Sequence, residues 1–119
     1  MVRVLFDTNI LIDYLNAVPQ AQAELESYEE RAISVVTWIE VLIGATAENE
    51  KATRQFLAEF KLVGLDGNVA KTAVELRKTH KMKLPDAIIW ASAKQEKMLF
   101  VTRNSKDFPA SDRGIRIPY

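Results

Sequence analysis

The chain has no cysteine, a single histidine, only four glycines and four prolines in 119 residues, and no net charge. Without cysteine there is no disulfide framework, no thiolate nucleophile and no cysteine-based zinc site. A reducing compartment fits that composition. No apolar run approaches the roughly 18 residues of a membrane span, so no membrane partner is expected. Sixteen basic residues balance sixteen acidic ones, which argues against a basic-tail nucleic-acid binder and leaves local polarisation open. A strand pattern beginning at Val2 leaves no room for a signal peptide, so a cytoplasmic location is expected. The 48% hydrophobic and 27% charged residues that are present are ordinary for a soluble globular protein. The length suits one domain, residues 1–119, rather than two.

The organising stretch is Val2–Asn9, VRVLFDTN. Val2, Val4 and Leu5-Phe6 read as a short buried strand that runs straight into Asp7-Thr8-Asn9. A helical pattern, Ile10, Leu11, Tyr14 and Leu15, follows at once. Pro19 opens a second helix with Ala21, Leu25 and Tyr28 on one side. Further strands are expected at Arg31–Val35, Leu62–Leu65, Met98–Val101 and Ile115–Ile117, the last on an edge beside Pro118. Between them fall a helix starting near Thr37, a helix over Glu48–Phe60 and a helix over Asn68–His80. The inner face of Glu48–Phe60 is expected at Ala52, Phe56, Leu57 and Phe60. That of Asn68–His80 is expected at Val69, Ala70, Ala73, Val74 and the stem of Arg77. Asp66-Gly67 reads as a cap and turn, and Arg77–Lys83 as a basic loop. Leu84-Pro85-Asp86 opens another helix, with proline at its first position. Strands separated by helical crossovers predict an α/β, three-layer α/β/α domain around a central five-stranded parallel sheet.

Four acids stand out by context: Asp7 after the first strand, Glu40 past the second, Asp86 opening the helix before the fourth, and Asp107 after the fourth. In open α/β sheets the carboxyl ends of the strands are where ligands bind. Each acid also has a plainer role. Asp7 or Thr8 fits a helix N-cap, and Thr37-x-x-Glu40 fits a capping box. Asp86 suits the positive end of a helix, and Asp107 pairs with Asn104 in a capping motif. Taken together they form a self-repelling cluster without an obvious matching set of cations, which a bound cation would relieve. Oxygen donors in that number suit Mg²⁺ or Mn²⁺ rather than zinc. Arg77, Lys78, His80, Lys81 and Lys83 offer a phosphate-holding run or a solvated loop. Arg103 and Lys106, close to Asp107, are better placed than that run to hold a phosphate backbone. Asp13 reads as a surface charge, and His80 has no evident ligand partner.

FDTNILIDYL, SVVTWIEVLIGA, LPDAIIWASA and TRNSKDF, in that order, resemble the four signature segments of PIN-domain ribonucleases, and most closely the VapC-type toxins of toxin–antitoxin pairs. The resemblance covers nearly the whole chain. It implies a Mg²⁺- or Mn²⁺-dependent endoribonuclease that leaves 5′-phosphate and 3′-hydroxyl ends, with one or two ions. Asp7 and Asp86 would be the firmest metal ligands. Glu40 would bind metal or orient the water, and Asp107 would act directly or through water. Thr8 and Asn104 would position a carboxylate, water or phosphate. The partners implied are a tRNA or ribosomal RNA substrate, a cognate antitoxin and a second copy in a homodimer. Trp90 departs from the small residue that the family often carries there. It either narrows the pocket, stacks an unpaired base, or packs in the core or a dimer interface, and Trp38 is open to the same core or interface roles. Competing readings are a catalytically inactive PIN-fold module that binds RNA or a partner, and a phospho-receiver-like module using Asp66. The latter lacks the second acid after the first strand and leaves Glu40 and Asp86 without a role.

Overall fold

The computed structural model describes residues 2–119. Five strands, β1 (Arg3–Phe6), β2 (Glu30–Ser34), β3 (Lys61–Val63), β4 (Leu99–Val101) and β5 (Ile115–Arg116), form one parallel sheet in the order β3-β2-β1-β4-β5. Six helices connect them: α1 (Thr8–Leu15), α2 (Pro19–Glu26), α3 (Val35–Ile43), α4 (Glu50–Leu57), α5 (Gly67–His80) and α6 (Leu84–Gln95). The expected α/β architecture is therefore the observed one, with β1 at the centre, paired to β2 on one side and β4 on the other.

Alternation along β1 divides the core. Leu5 joins Ala32 and Phe100 under α5 and α6. Val4 and Phe6 join Ile33 and Val101 under α1, α2 and α4, with Val41 of α3. Side chains of a strand point to opposite faces in turn, so an apolar strand with helices on both sides buries every residue. The edge strand β5 is tied down by Arg116, which donates from Nε and Nη2 to the two oxygens of the buried Glu24 on α2 at 2.6 and 3.0 Å.

Three helices begin at the carboxyl end of a strand or just beyond it, each with an oxygen cap. Asp7 accepts from Thr8 N, Ser34 from Val36 N and Asp66 from Val69 N. The second of these corrects the expected start of α3. Ser34 is the cap, the helix begins two residues before Thr37, and Glu40 sits in its second turn rather than its first. Thr37-x-x-Glu40 is thus not a capping box, and Thr37 lies fully buried inside the helix.

The inner face of α5 is Val69, Ala73 and Leu76; Ala70, Val74 and Arg77 are exposed. Spacing of i, i+4, i+7 follows the helix repeat more closely than the run chosen from sequence. On α4, Thr53 is buried and Ala52 exposed, its hydroxyl donating to the Asn49 carbonyl at 2.9 Å. Most of the basic run is helical: Arg77, Lys78 and His80 are in the last turn of α5, which ends at Lys81 in the left-handed conformation (φ 52°).

Trp90 is 2% exposed. Phe108 meets its ring edge-on at 5.8 Å, His80 packs at 5.0 Å and the Lys94 ammonium lies 4.9 Å from its centroid. It is a core residue and neither narrows the acidic pocket nor offers a face to a base. Replacing it leaves a large void, so Trp90→Ala should lower stability to urea by about 3–5 kcal/mol, and Trp90→Phe by less. Denaturation followed by circular dichroism measures both.

Candidate active site

Because every strand runs the same way, the carboxyl ends of β1, β2 and β4 open at one edge. Asp7 leaves β1, its backbone N–H donating to the Val101 carbonyl of β4 at 2.9 Å. The residue is 4% exposed, and its carboxylate is held by neutral donors. Thr8 N donates to Oδ1 at 2.7 Å. The Thr102 hydroxyl at 2.7 Å and Asn9 Nδ2 at 3.2 Å donate to Oδ2. Burial above all, with the charges of Asp86 and Glu40 adding to it, raises the Asp7 carboxyl from its ordinary 3.8 to about 6, against the pull of Thr102 and Thr8. Asp86, in the first turn of α6, is raised by burial and then by Asp107 and Glu40, with Lys83 opposing.

Glu40 reaches this edge from α3. Its Oε1 accepts from the Thr8 hydroxyl at 2.6 Å, and that hydroxyl also meets Thr37 Oγ1 at 2.9 Å. After β4, Asn104 and Asp107 bind each other reciprocally. Asn104 Nδ2 donates to Asp107 Oδ2 at 2.9 Å, and Asp107 N donates to Asn104 Oδ1 at 3.1 Å. The capping pair expected between them is present. A pocket of about 320 Å³ is lined by Asp7, Thr8, Asn9, Ile12, Glu40, Asp86, Arg103 and Asn104. Asp107 is not in that lining, yet it is near enough to raise Asp86. Lys106 is exposed and also outside the lining. A larger groove of about 410 Å³ runs beside the β3 edge, but its acids are already engaged, Glu96 by Lys61 and Asp66 as a cap.

Sequence reasoning passed over three side chains of this edge. Thr102 is fully buried and spends its hydroxyl proton on Asp7. Asn9 links the two loops, donating to Asp7 and Thr102 and accepting from Arg103 N at 3.1 Å. Both lie within the motifs DTN and TRN, which was the available signal. The third, Asp13, is not a mere surface charge. It accepts from Arg103 Nε at 2.7 Å and from the Tyr119 hydroxyl at 2.9 Å, and so holds Arg103 at the pocket rim.

Arg103 is the one cationic side chain in the lining among the described residues, and Asp13 already neutralises it. The pocket therefore offers carboxylate, hydroxyl and amide oxygens, with negative charge left over. That donor set fits a hard divalent cation such as Mg²⁺ or Mn²⁺ and does not fit zinc. Among the described residues, no group of three acids is drawn close enough to cage an ion by itself.

A parallel α/β sheet with an acid-lined pocket at its carboxyl edge defines the class. The PIN domain profile matches residues 4–113, and the chain belongs to the PIN-domain family. Among solved structures it is similar to a chain of a toxin–antitoxin complex from Klebsiella pneumoniae, with 42% identity, a TM-score of 0.93 and 98% of each chain covered. FitAcB from Neisseria gonorrhoeae is 25% identical, with a TM-score of 0.79 and 97% of each chain covered. DNA-bound VapBC from Salmonella typhimurium shares the fold at 20% identity and a TM-score of 0.80, over 98% of this chain and 96% of that one. No curated protein matches by sequence.

A folded carboxyl that holds its proton more tightly than the unfolded one costs stability as it ionises. With EDTA present, wild-type stability should therefore fall relative to Asp7→Asn as pH rises from 3.8 to about 6, then run parallel. The full difference amounts to at most about 3 kcal/mol. Urea denaturation across that range checks it; a difference independent of pH would remove the burial argument.

Proposed function

We propose that the chain, residues 1–119 acting as one PIN-like nuclease domain, is a Mg²⁺- or Mn²⁺-dependent endoribonuclease and the toxin of a toxin–antitoxin pair. The observation that carries this reading is Asp7, a buried carboxylate with only neutral donors, facing Asp86 and Glu40. A pure binding module gains nothing from such a cluster. The 42% identity to a chain of a toxin–antitoxin complex supports the biological role.

Asp7 and Asp86 would hold the ion, with Glu40 and Asp107 completing its shell directly or through water. When bound, a divalent ion there polarises the scissile phosphodiester and lowers the pKa of an attacking water. The protein's own groups do the positioning. Thr102 and Asn9 hold Asp7 in place. Thr8 donates to Glu40 and turns that carboxylate toward the pocket. Asn104 holds the Asp107 carboxylate at the pocket's margin. Arg103, fixed by Asp13, offers a cation to a flanking phosphate, and the exposed Lys106 a second. Hydrolysis adds the water oxygen to phosphorus and breaks the bond to the 3′ oxygen, leaving a 5′-phosphate and a 3′-hydroxyl.

The substrate is RNA, with an unpaired loop of a tRNA or ribosomal RNA as the target. Sequence-selective recognition of RNA works on such unstacked bases. A cognate antitoxin restrains the enzyme in the cytoplasm, and the active form is a homodimer.

The test is incubation of total RNA with Mg²⁺ or Mn²⁺, with EDTA, and with Asp7→Asn, followed by mapping of fragment ends. Discrete cuts with 5′-phosphate ends are expected. They should vanish in EDTA and slow by about 10²–10³-fold in the variant, because the ion that would stabilise the developing charge is then held more weakly. Folded wild type that cuts no RNA with either ion would overturn the enzymatic reading.

A further inference from the structure

Of the buried helical hydroxyls, Thr53 and Ser92 each donate to the carbonyl four residues back, at 2.9 and 2.8 Å. Thr37 does not. Fully buried in α3, it directs its hydroxyl across to α1, where it meets Thr8 Oγ1 at 2.9 Å. The proton direction follows from the next link. An ionised carboxylate only accepts, so the single hydroxyl proton of Thr8 is committed to Glu40 Oε1 at 2.6 Å. Thr37 must then donate to Thr8. The result is a one-way chain, Thr37 to Thr8 to Glu40, in which each bond polarises the next.

A core position needing only volume would be filled as well by valine, which has the shape of threonine without the hydroxyl. The hydroxyl at Thr37 is spent outside its own helix, on a group at the pocket wall. Without it, Thr8 would be free to rotate and satisfy its oxygen elsewhere, and the exposed Glu40 side chain would lose its fixed neighbour.

We propose that Thr37 is a positioning residue of the acidic site, acting through Thr8 to hold the Glu40 carboxylate in the pocket. The inference rests on the reading that these acids bind a divalent cation. Its role is orientation, so it touches neither ion nor substrate.

Thr37→Val and Thr37→Ser separate this role from packing. Two readouts are needed: the Mg²⁺-dependent rise in melting temperature without RNA, and kcat and KM for RNA cleavage. Melting in EDTA serves as the folding control. Thr37→Val should melt as wild type does in EDTA, yet need about tenfold more Mg²⁺ for the same rise and lose about tenfold in kcat with little change in KM, the scale for groups that orient a metal ligand. Thr37→Ser, which keeps the hydroxyl, should restore both. Thr37→Val matching wild type in both readouts would overturn the proposal. So would equal loss in Val and Ser variants with lowered melting in EDTA, which would make the residue one of packing alone. If wild type cuts no RNA, the nuclease reading fails, while the Mg²⁺ titration still decides the role of Thr37.

Discussion

The rest of the structure depends on a carboxylate placed where charge is least welcome. Asp7 is buried at the centre of the sheet edge, its oxygens satisfied by a backbone amide, a hydroxyl and a side-chain amide, none of them charged. Two further acids push on it through space. Hydrogen bonding meets its directional needs and leaves its charge unbalanced. An ion pair would have removed that tension, and the chain makes such pairs elsewhere, as Glu24 does with Arg116. At the pocket the one lining arginine is turned to Asp13 instead. The fold spends stability to keep negative charge available, and functional sites are where such local conflicts are expected.

Sheet order makes the cluster possible. β1 lies between β2 and β4, so the connections that carry Asp7, Glu40 and Asn104, the second of them the helix α3, leave neighbouring strands at the same edge. Adjacent parallel strands are under 5 Å apart, near 4.8 Å, which brings side chains from three connections within reach of one another. α6 returns beneath the sheet and delivers Asp86 from its first turn. Capping sets the start of α1 and α3. Asp7 caps α1 while facing the pocket, so the cap and the site acid are one residue serving two ends.

Much of this was legible in the chain. The run VRVLF followed by DTN marks a strand, a cap and a helix start with little ambiguity, because apolar β-branched residues and a capping acid are local signals. The alternation of strands and helices was sufficient for the parallel α/β class. Other features are not local. Thr37-x-x-Glu40 matches a capping box, but Ser34, three residues earlier, is the cap. Thr37 lies inside the helix and meets Thr8, 29 residues away in the chain. Asp13 looked like solvent-facing charge because its partners, Arg103 and Tyr119, are 90 and 106 residues distant. Thr102 gave no sign of special weight until β4 was seen beside β1.

The central claim is that Asp7 anchors a cation site which its neighbours alone leave uncompensated. Crystals grown with Mn²⁺, measured for anomalous scattering near the manganese edge, test it directly. The account predicts a strong peak against the Asp7 carboxylate, shared with Asp86 and absent from crystals of Asp7→Asn. A fully folded protein with no peak at Asp7, or with its manganese bound at another part of the surface, would contradict it.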